Sequence, residues 1–156
     1  MSAPATAIRP ARPEDRPAVE RLLEAADLPL EGVADHFAHF VVAECDGAVG
    51  GAAGREPYGD AALVRSVVVA AELHGQQIGL RLVERALLDA RSAGQHRLYL
   101  RTDGAERFFP RFGFAVIELE DVPRSVQQSA EFQGACPESC LTMAATLPGP
   151  PGVLRV

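Results

Sequence analysis

The segment Ala70-Ala-Glu-Leu-His74-Gly75-Gln76-Gln77-Ile78-Gly79 follows an apolar run that ends at Val69. It leads into a stretch where Leu82, Val83, Ala86, Leu87 and Ala90 share one helical face. A glycine-bearing loop at a helix start points backbone N–H groups without intrahelical acceptors at one spot, and the helix dipole adds partial positive charge there. That is the chemistry of a phosphate or other anion site. A tight turn that needs two glycines has the same letters, and local sequence leaves both readings open.

Every one of the 15 basic residues is arginine, which excludes Schiff-base chemistry and a lysine base and hands charged recognition to guanidinium groups. Arg65 interrupts the apolar run from Ala61 to Ala71, so it needs either a structural partner or an opening to solvent. His36 and His39, with Asp35, have the i, i+3 spacing of metal ligands on a helix. No third ligand is near them, and no metal is assigned. Cys136 and Cys140 flank Pro137 and Glu138; the default reading is inert free thiols, and the alternative is a chelate for a soft thiophilic species such as trivalent arsenic, with Cys45 as a third thiolate.

These residues need a scaffold, and 156 residues with 47% hydrophobic and 23% charged composition make one globular domain. Residues 1–147 are assigned to it and 148–156 to a mobile Pro-Gly tail. A net charge of -6 argues against nucleic acid and anionic membrane as partners. No apolar run reaches the roughly 18 residues of a membrane helix, Met1–Pro17 has no signal-peptide core, and three cysteines fit a reducing compartment. A cytoplasmic protein is expected.

Strands are expected at Thr6–Pro10, at Phe40–Glu44 and Ala48–Ala53 around an Asp46-Gly47 turn, and at Ala62–Val69, Arg97–Arg101, Phe114–Leu119 and Leu141–Thr146. Helices are expected from Ala18 to Leu28, with Asp15 as cap, and at Gly32–His39 and Gly79–Ala93. Two more follow, one running from an Asp103/Glu106 capping box to Gly113 and one within Pro123–Phe132. Gly50, Gly51 and Gly54 leave room for something to lie against their strand. The order specifies an α/β protein, a mixed central sheet with helices on both faces.

Val67-Val-Val69, the loop His74–Gly79, the helix after it and Phe108-Phe-Pro-Arg-Phe112-Gly-Phe114 together resemble the GNAT N-acetyltransferase superfamily over residues 6–146. The resemblance implies the GNAT acyltransferase fold and acetyl-CoA as acetyl donor. Val67 and Val69 would meet the pantetheine arm, and His74, Gly75, Gln76, Gln77, Ile78, Gly79 and Leu80 the phosphates. The family loop usually has Gln or Arg, two residues, Gly, one residue, then Gly or Ala. Here His74 and Gln77 depart from it, and a positive φ at Gln77 costs on the order of 1 kcal/mol.

Leu63-Val-Arg65-Ser66-Val-Val-Val69 and the late segment Val122-Pro123 through Ser129-Ala-Glu131-Phe132 to Cys136-Pro137-Glu-Ser139 resemble the arsenic-resistance N-acetyltransferase branch. This implies transfer of acetyl to the primary amine of a small, anionic acceptor. Glu131 would be the general base, preferred to Glu44, and Arg65 and Arg124 would bind the acceptor. Arg101 and Arg111 are further candidates, on elements that would face the same cleft. The family's thiolate-protonating tyrosine falls on Phe109, which has no proton to give. A homodimer is kept among the partners. The rival reading is a catalytically degenerate module of the same fold that binds CoA or trivalent arsenic.

Overall fold

The computed structural model describes residues 5–147; the tail assigned to 148–156 lies outside the described residues. Its strands are β1 (Thr6–Pro10), β2 (Phe40–Cys45), β3 (Ala48–Tyr58), β4 (Ala61–Val69), β5 (Arg97–Thr102), β6 (Ala115–Ile117) and β7 (Leu141–Thr146). They hydrogen-bond in the order β1-β2-β3-β4-β5-β7-β6. β4 and β5 run parallel, with Ala61, Ala62 and Leu63 opposite Arg97, Leu98 and Tyr99. The β1/β2, β2/β3, β5/β7 and β6/β7 pairs are antiparallel, so the sheet is mixed. The helices are α1 (Arg16–Ala25), α2 (Val33–His36), α3 (Ile78–Ser92) and α4 (Arg124–Gln127).

The chain forms two compact units. One holds the described residues up to Arg55 with Arg65–Ala86; the other holds Glu56–Val64 and the described residues from Leu87 on. In the first unit the period of two along a strand sorts the core. Val42 and Ala52 bury with Val19 and Leu23 of α1 and Val33 of α2. Their neighbours Val41, Ala43 and Ala53 bury with Ile78, Leu82 and Ala86 of α3. Alternate residues therefore carry helices on opposite faces, as the sequence pattern requires. In the second unit Ala61, Leu63 and Tyr99 pack with Val122 and Val126 of the late segment.

The expected hairpin turn is present, with Asp46 and Gly47 both at positive φ (50° and 84°), as a type I′ turn demands. β3 is longer than expected and runs through Pro57 to Tyr58. What lies against the β3 glycines is the protein itself. A Cβ on Gly51 would sit 2.9 Å from the Val68 carbonyl, one on Gly50 would meet Leu73, and one on Gly54 would meet the Phe40 ring.

Asp15 does not cap α1 through its side chain. Its carboxylate instead accepts from Arg9 Nη1 and Nη2 at 2.8 and 3.1 Å and from the Arg12 N–H at 2.7 Å. Arg9, then the Arg12 N–H, hold this carboxyl below its ordinary range against the cost of burial. A depressed carboxylate stabilises the fold above its unfolded pKa, near 3.9, and loses that contribution as pH falls through its folded value. Asp15→Asn is therefore expected to cost about 1 to 3 kcal/mol at neutral pH. Urea unfolding at stepped pH should show this gap closing below about pH 4; a gap independent of pH would assign the loss to packing.

Candidate functional site

β4 changes hand in its middle. Ser66 stands at φ 57°, a left-handed residue inside a strand, at a cost of about 1 to 3 kcal/mol. After it, Val67 and Val69 turn toward the α3 core while Val68 turns to the α1 core. Arg65 is 3% exposed and donates Nε–H to Ser66 Oγ at 3.0 Å and Nη2–H to the Pro29 carbonyl at 3.3 Å. The charge that breaks the apolar run thus holds the distorted residue and an α1–α2 loop. Val67 and Val69 are half-buried, their side chains packed against the α3 core.

The loop between β4 and α3 carries two left-handed residues, Gly75 at φ 88° and Gln77 at φ 61°. Alternating hands of φ along a loop turn successive N–H groups toward a common point, the geometry of an anion nest. Arg81 N–H bonds the Gln77 carbonyl at 3.2 Å, so the N–H groups of Ile78, Gly79 and Leu80 precede the first helical bond. Nothing lies within 4 Å of a Cβ built on Gly75. His74 Nε2 lies 2.9 Å from the Val69 carbonyl, which can only accept, so Nε2 carries the proton and the ring ties the loop to the strand. Nδ1 is left as an acceptor in that tautomer and as a donor in the imidazolium. Gln76 and Gln77 are exposed. Backbone donors, open space and helix dipole together fit a pyrophosphate.

A second cluster lies on the late segment. The 3-10 turn Ala130–Phe132 is capped by Ser129, whose Oγ accepts from the Glu131 N–H at 3.2 Å. Glu131 is 4% exposed. Arg101 donates to the Glu131 carbonyl at 3.4 Å and to the Cys140 carbonyl at 3.1 Å, and its guanidinium lies 5.4 Å over the Phe132 ring. Its Nε is buried without a hydrogen-bond partner. Arg101, then, braces the turn that carries Glu131. Burial, then the interaction of the protonated thiol with Cys140 and the Glu131 charge, push the Cys136 thiol up to about 12. Arg124 opens α4 and is exposed.

The remaining candidates have partners of their own. Glu44 bonds Arg9 at 3.3 Å. Arg111 donates to the Phe108 carbonyl and stacks on that ring. Phe109 is buried against Phe108 and Phe114. Burial, the Arg55 charge and His36 lower the pKa of His39. Cys45 lies in the first unit with its Sγ 3.5 Å from Thr6 Oγ1. No group of three or more His, Cys, Asp or Glu able to hold a metal occurs among the described residues.

Two residues escape sequence reasoning. Ser66 gives no signal beyond an Arg-Ser pair in an apolar run. Glu56 is only 1% exposed and accepts from the Tyr58 hydroxyl, yet it lies beyond the strand expected to end at Ala53.

A family model described as an acetyltransferase (GNAT) domain matches residues 36–116. No curated protein matches the sequence. Among solved structures the chain is similar to Rv2747 from Mycobacterium tuberculosis in complex with CoA, at 26% identity and a TM-score of 0.79 over 91% of this chain and 99% of that one. It is also similar to N-acetylglutamate synthase from Neisseria gonorrhoeae complexed with coenzyme A and N-acetyl-glutamate, at 20% identity and a TM-score of 0.80. That match covers 94% of this chain but only 36% of the synthase, about a third of its length. An acetyltransferase of the GNAT family from Staphylococcus aureus Mu50 matches with a TM-score of 0.76 at 14% identity, over 92% of this chain and 100% of that one.

Proposed function

The chain belongs to the GNAT acetyltransferase family, and from that premise we propose that it moves an acetyl group from acetyl-CoA to the primary amine of a small, anionic molecule. The observation that carries this is the loop after β4, with its two left-handed residues and the unpaired N–H groups of Ile78 to Leu80. In this reading His74, Gly75, Gln76, Gln77, Ile78, Gly79 and Leu80 hold the pyrophosphate, and the backbone of Val67 and Val69 aligns the pantetheine arm. Bound acetyl-CoA supplies an acetyl group activated as a thioester. A backbone N–H of Val67–Val69 polarises the acetyl carbonyl, which is worth about 3 kcal/mol where such a donor is removed in other enzymes. Glu131 takes the proton of the acceptor amine. Arg124, exposed at the start of α4, meets the acceptor's anionic group, and Arg65 acts by holding Ser66 and the Pro29 loop. Phe109 has no proton to give, so the leaving thiolate is protonated from water.

The late segment extends the proposal to the arsenic-resistance branch. The first acceptors to try are glutamate-like amino acids bearing a phosphinyl or arsinyl group. A second reading, a CoA-binding module without turnover, draws on Gln77 and Phe109, which stand where the family has glycine and tyrosine.

The deciding measurement is thiol release from acetyl-CoA across neutral and anionic amines. Turnover of anionic amines, with Arg124→Ala raising KM for those alone, is expected. Calorimetric acetyl-CoA binding with no turnover of any amine would establish the module instead. Gln77→Gly removes the strain at φ 61° and is expected to stabilise the protein by roughly 1 kcal/mol and to tighten acetyl-CoA binding. Weaker binding in that variant would show that the Gln77 amide is itself a ligand group.

A further inference from the structure

The two edge strands of the sheet are finished differently. On β1 the Asp46 N–H bonds the Ala5 carbonyl and the Ala11 N–H bonds the Phe40 carbonyl, so odd-numbered residues face β2 and even-numbered ones face outward. Those outward groups are taken. Arg81 donates to the Thr6 carbonyl at 3.3 Å, Arg85 donates to the Ile8 carbonyl at 3.5 Å, and Pro10 has no N–H. An edge covered in this way offers no template to another strand. β6 stands at the other end of the strand order, and among the described residues no side chain caps it.

The pairings of β7 fix which groups the β6 edge presents. The Leu147 N–H bonds the His96 carbonyl, and Arg97 to Thr102 pair with Thr146 to Leu141 without a shift. Odd-numbered residues of β7 therefore face β5, and even-numbered ones face β6. Ala115 and Ile117, opposite Ala144 and Thr142, hydrogen-bond to β7, while the N–H and C=O of Val116 point away from it. The Val116 side chain is 56% exposed and shares a sheet face with Met143, and hence with Leu141, which is also exposed. Leu119, in the turn that follows, is exposed as well. Charge is sorted about the strand: Arg107 and Arg111 stand exposed before it, and Glu118, Glu120 and Asp121 stand exposed after it.

We propose that this edge is the docking surface for a second copy of the chain, joined antiparallel along β6 with a two-fold axis at Val116. Each Val116 N–H then donates to the Val116 carbonyl of the other copy, and the two β6 strands become neighbours in one shared sheet. The two Val116 side chains stand opposite one another on the same face and cover each other. Direction follows from charge. Antiparallel pairing about Val116 sets Arg111 of one copy against Asp121 of the other, which lies as far after Val116 as Arg111 lies before it. Parallel pairing would set like charges side by side, which is unfavourable. The order of charge along this edge is thus complementary to itself, and that singles out a second copy as the occupant.

The test is sedimentation of the full chain over a dilution series, with amide exchange followed by NMR at both ends of it. A reversible monomer–dimer equilibrium is expected. The Val116 amide should exchange freely in dilute solution and become protected as the dimer fills, whereas the Ile117 amide, bonded to β7, should be protected throughout. Val116→Pro removes only an outward N–H, so it should abolish the dimer and keep the urea midpoint close to that of the wild type. Ile117→Pro should lower that midpoint, because it breaks the ladder to β7. Should Val116→Pro fold poorly, Val116→Lys keeps the N–H, sets two like charges face to face at the axis and should also give the monomer. Arg111→Glu and Asp121→Arg should each weaken the dimer, and the double variant, with the wild-type net charge, should recover it. A monomer at every concentration, a dimer that survives both changes at Val116, or concentration-dependent protection on β1 in place of Val116 would each overturn the proposal. None of these readouts depends on acetyl transfer.

Discussion

Glu131→Gln is expected to lower kcat by about 10²- to 10⁴-fold while leaving the KM for acetyl-CoA unchanged, the range lost when a general base is removed. Glutamine keeps the size and one acceptor oxygen of the carboxylate but cannot take a proton. The substitution therefore separates proton removal from mere contact with the amine. The surroundings make it a clean probe. The backbone of Glu131 is held by Ser129 Oγ on its N–H and by Arg101 on its carbonyl, so the turn does not depend on the carboxylate for these bonds. A fall of less than about tenfold would remove Glu131 from base catalysis and leave it as a positioning group. Ser129→Ala separates the two roles further. It deletes the acceptor for the Glu131 N–H and should raise the acceptor's KM and reduce stability modestly, with a pH profile of the same shape as the wild type.

How legible was this site beforehand? The connection His74–Leu80 between β4 and α3 is legible because glycines between an apolar strand and an amphipathic helix are a local signal, and locality is what sequence carries well. The Asp46-Gly47 turn and α3, with Gly94 at φ 82° beyond its end, were legible for the same reason. The Asp103/Glu106 capping box misled. Glu106 does accept a backbone bond, but from the Gly104 N–H, and Thr102 Oγ1 accepts from the Ala105 N–H. The segment satisfies its donors without a helix, and only the short turn Phe109–Phe112 forms before Gly113 at φ 92°. The left-handed Ser66 has no local cause that a sequence displays, since serine is not chosen for positive φ. It is held by Arg65, which itself reaches to the Pro29 carbonyl 36 residues back along the chain. The same holds for the β3 glycines, where what fills the empty side-chain space is decided by Phe40, Leu73 and Leu82.

Those glycines give the largest stability effect. Gly54 lies opposite Phe40 across β2 and β3, and a Cβ there would sit 2.7 Å from Cδ1 of the ring and closer still to two other ring atoms. Phe40 has nowhere to go. It is 2% exposed, its ring centroid is 5.2 Å from that of Phe37, and it shares a cluster with Val19, Leu23 and Val33. Two effects oppose each other in Gly54→Val. Strand propensity favours valine by at most about 1 kcal/mol. Overpacking a closed core costs about 1 to 3 kcal/mol or more, and a displaced aromatic ring forfeits part of the 3 to 5 kcal/mol its burial carries. Overpacking wins, and Gly54→Val is expected to lose about 3 kcal/mol in urea unfolding, with a slope close to that of the wild type. Phe40→Leu alone should also destabilise, but the double variant should be more stable than the sum of the two losses, because the smaller leucine vacates the space that valine needs. Additive losses would mean that the Phe40 ring does not set the requirement for glycine at 54.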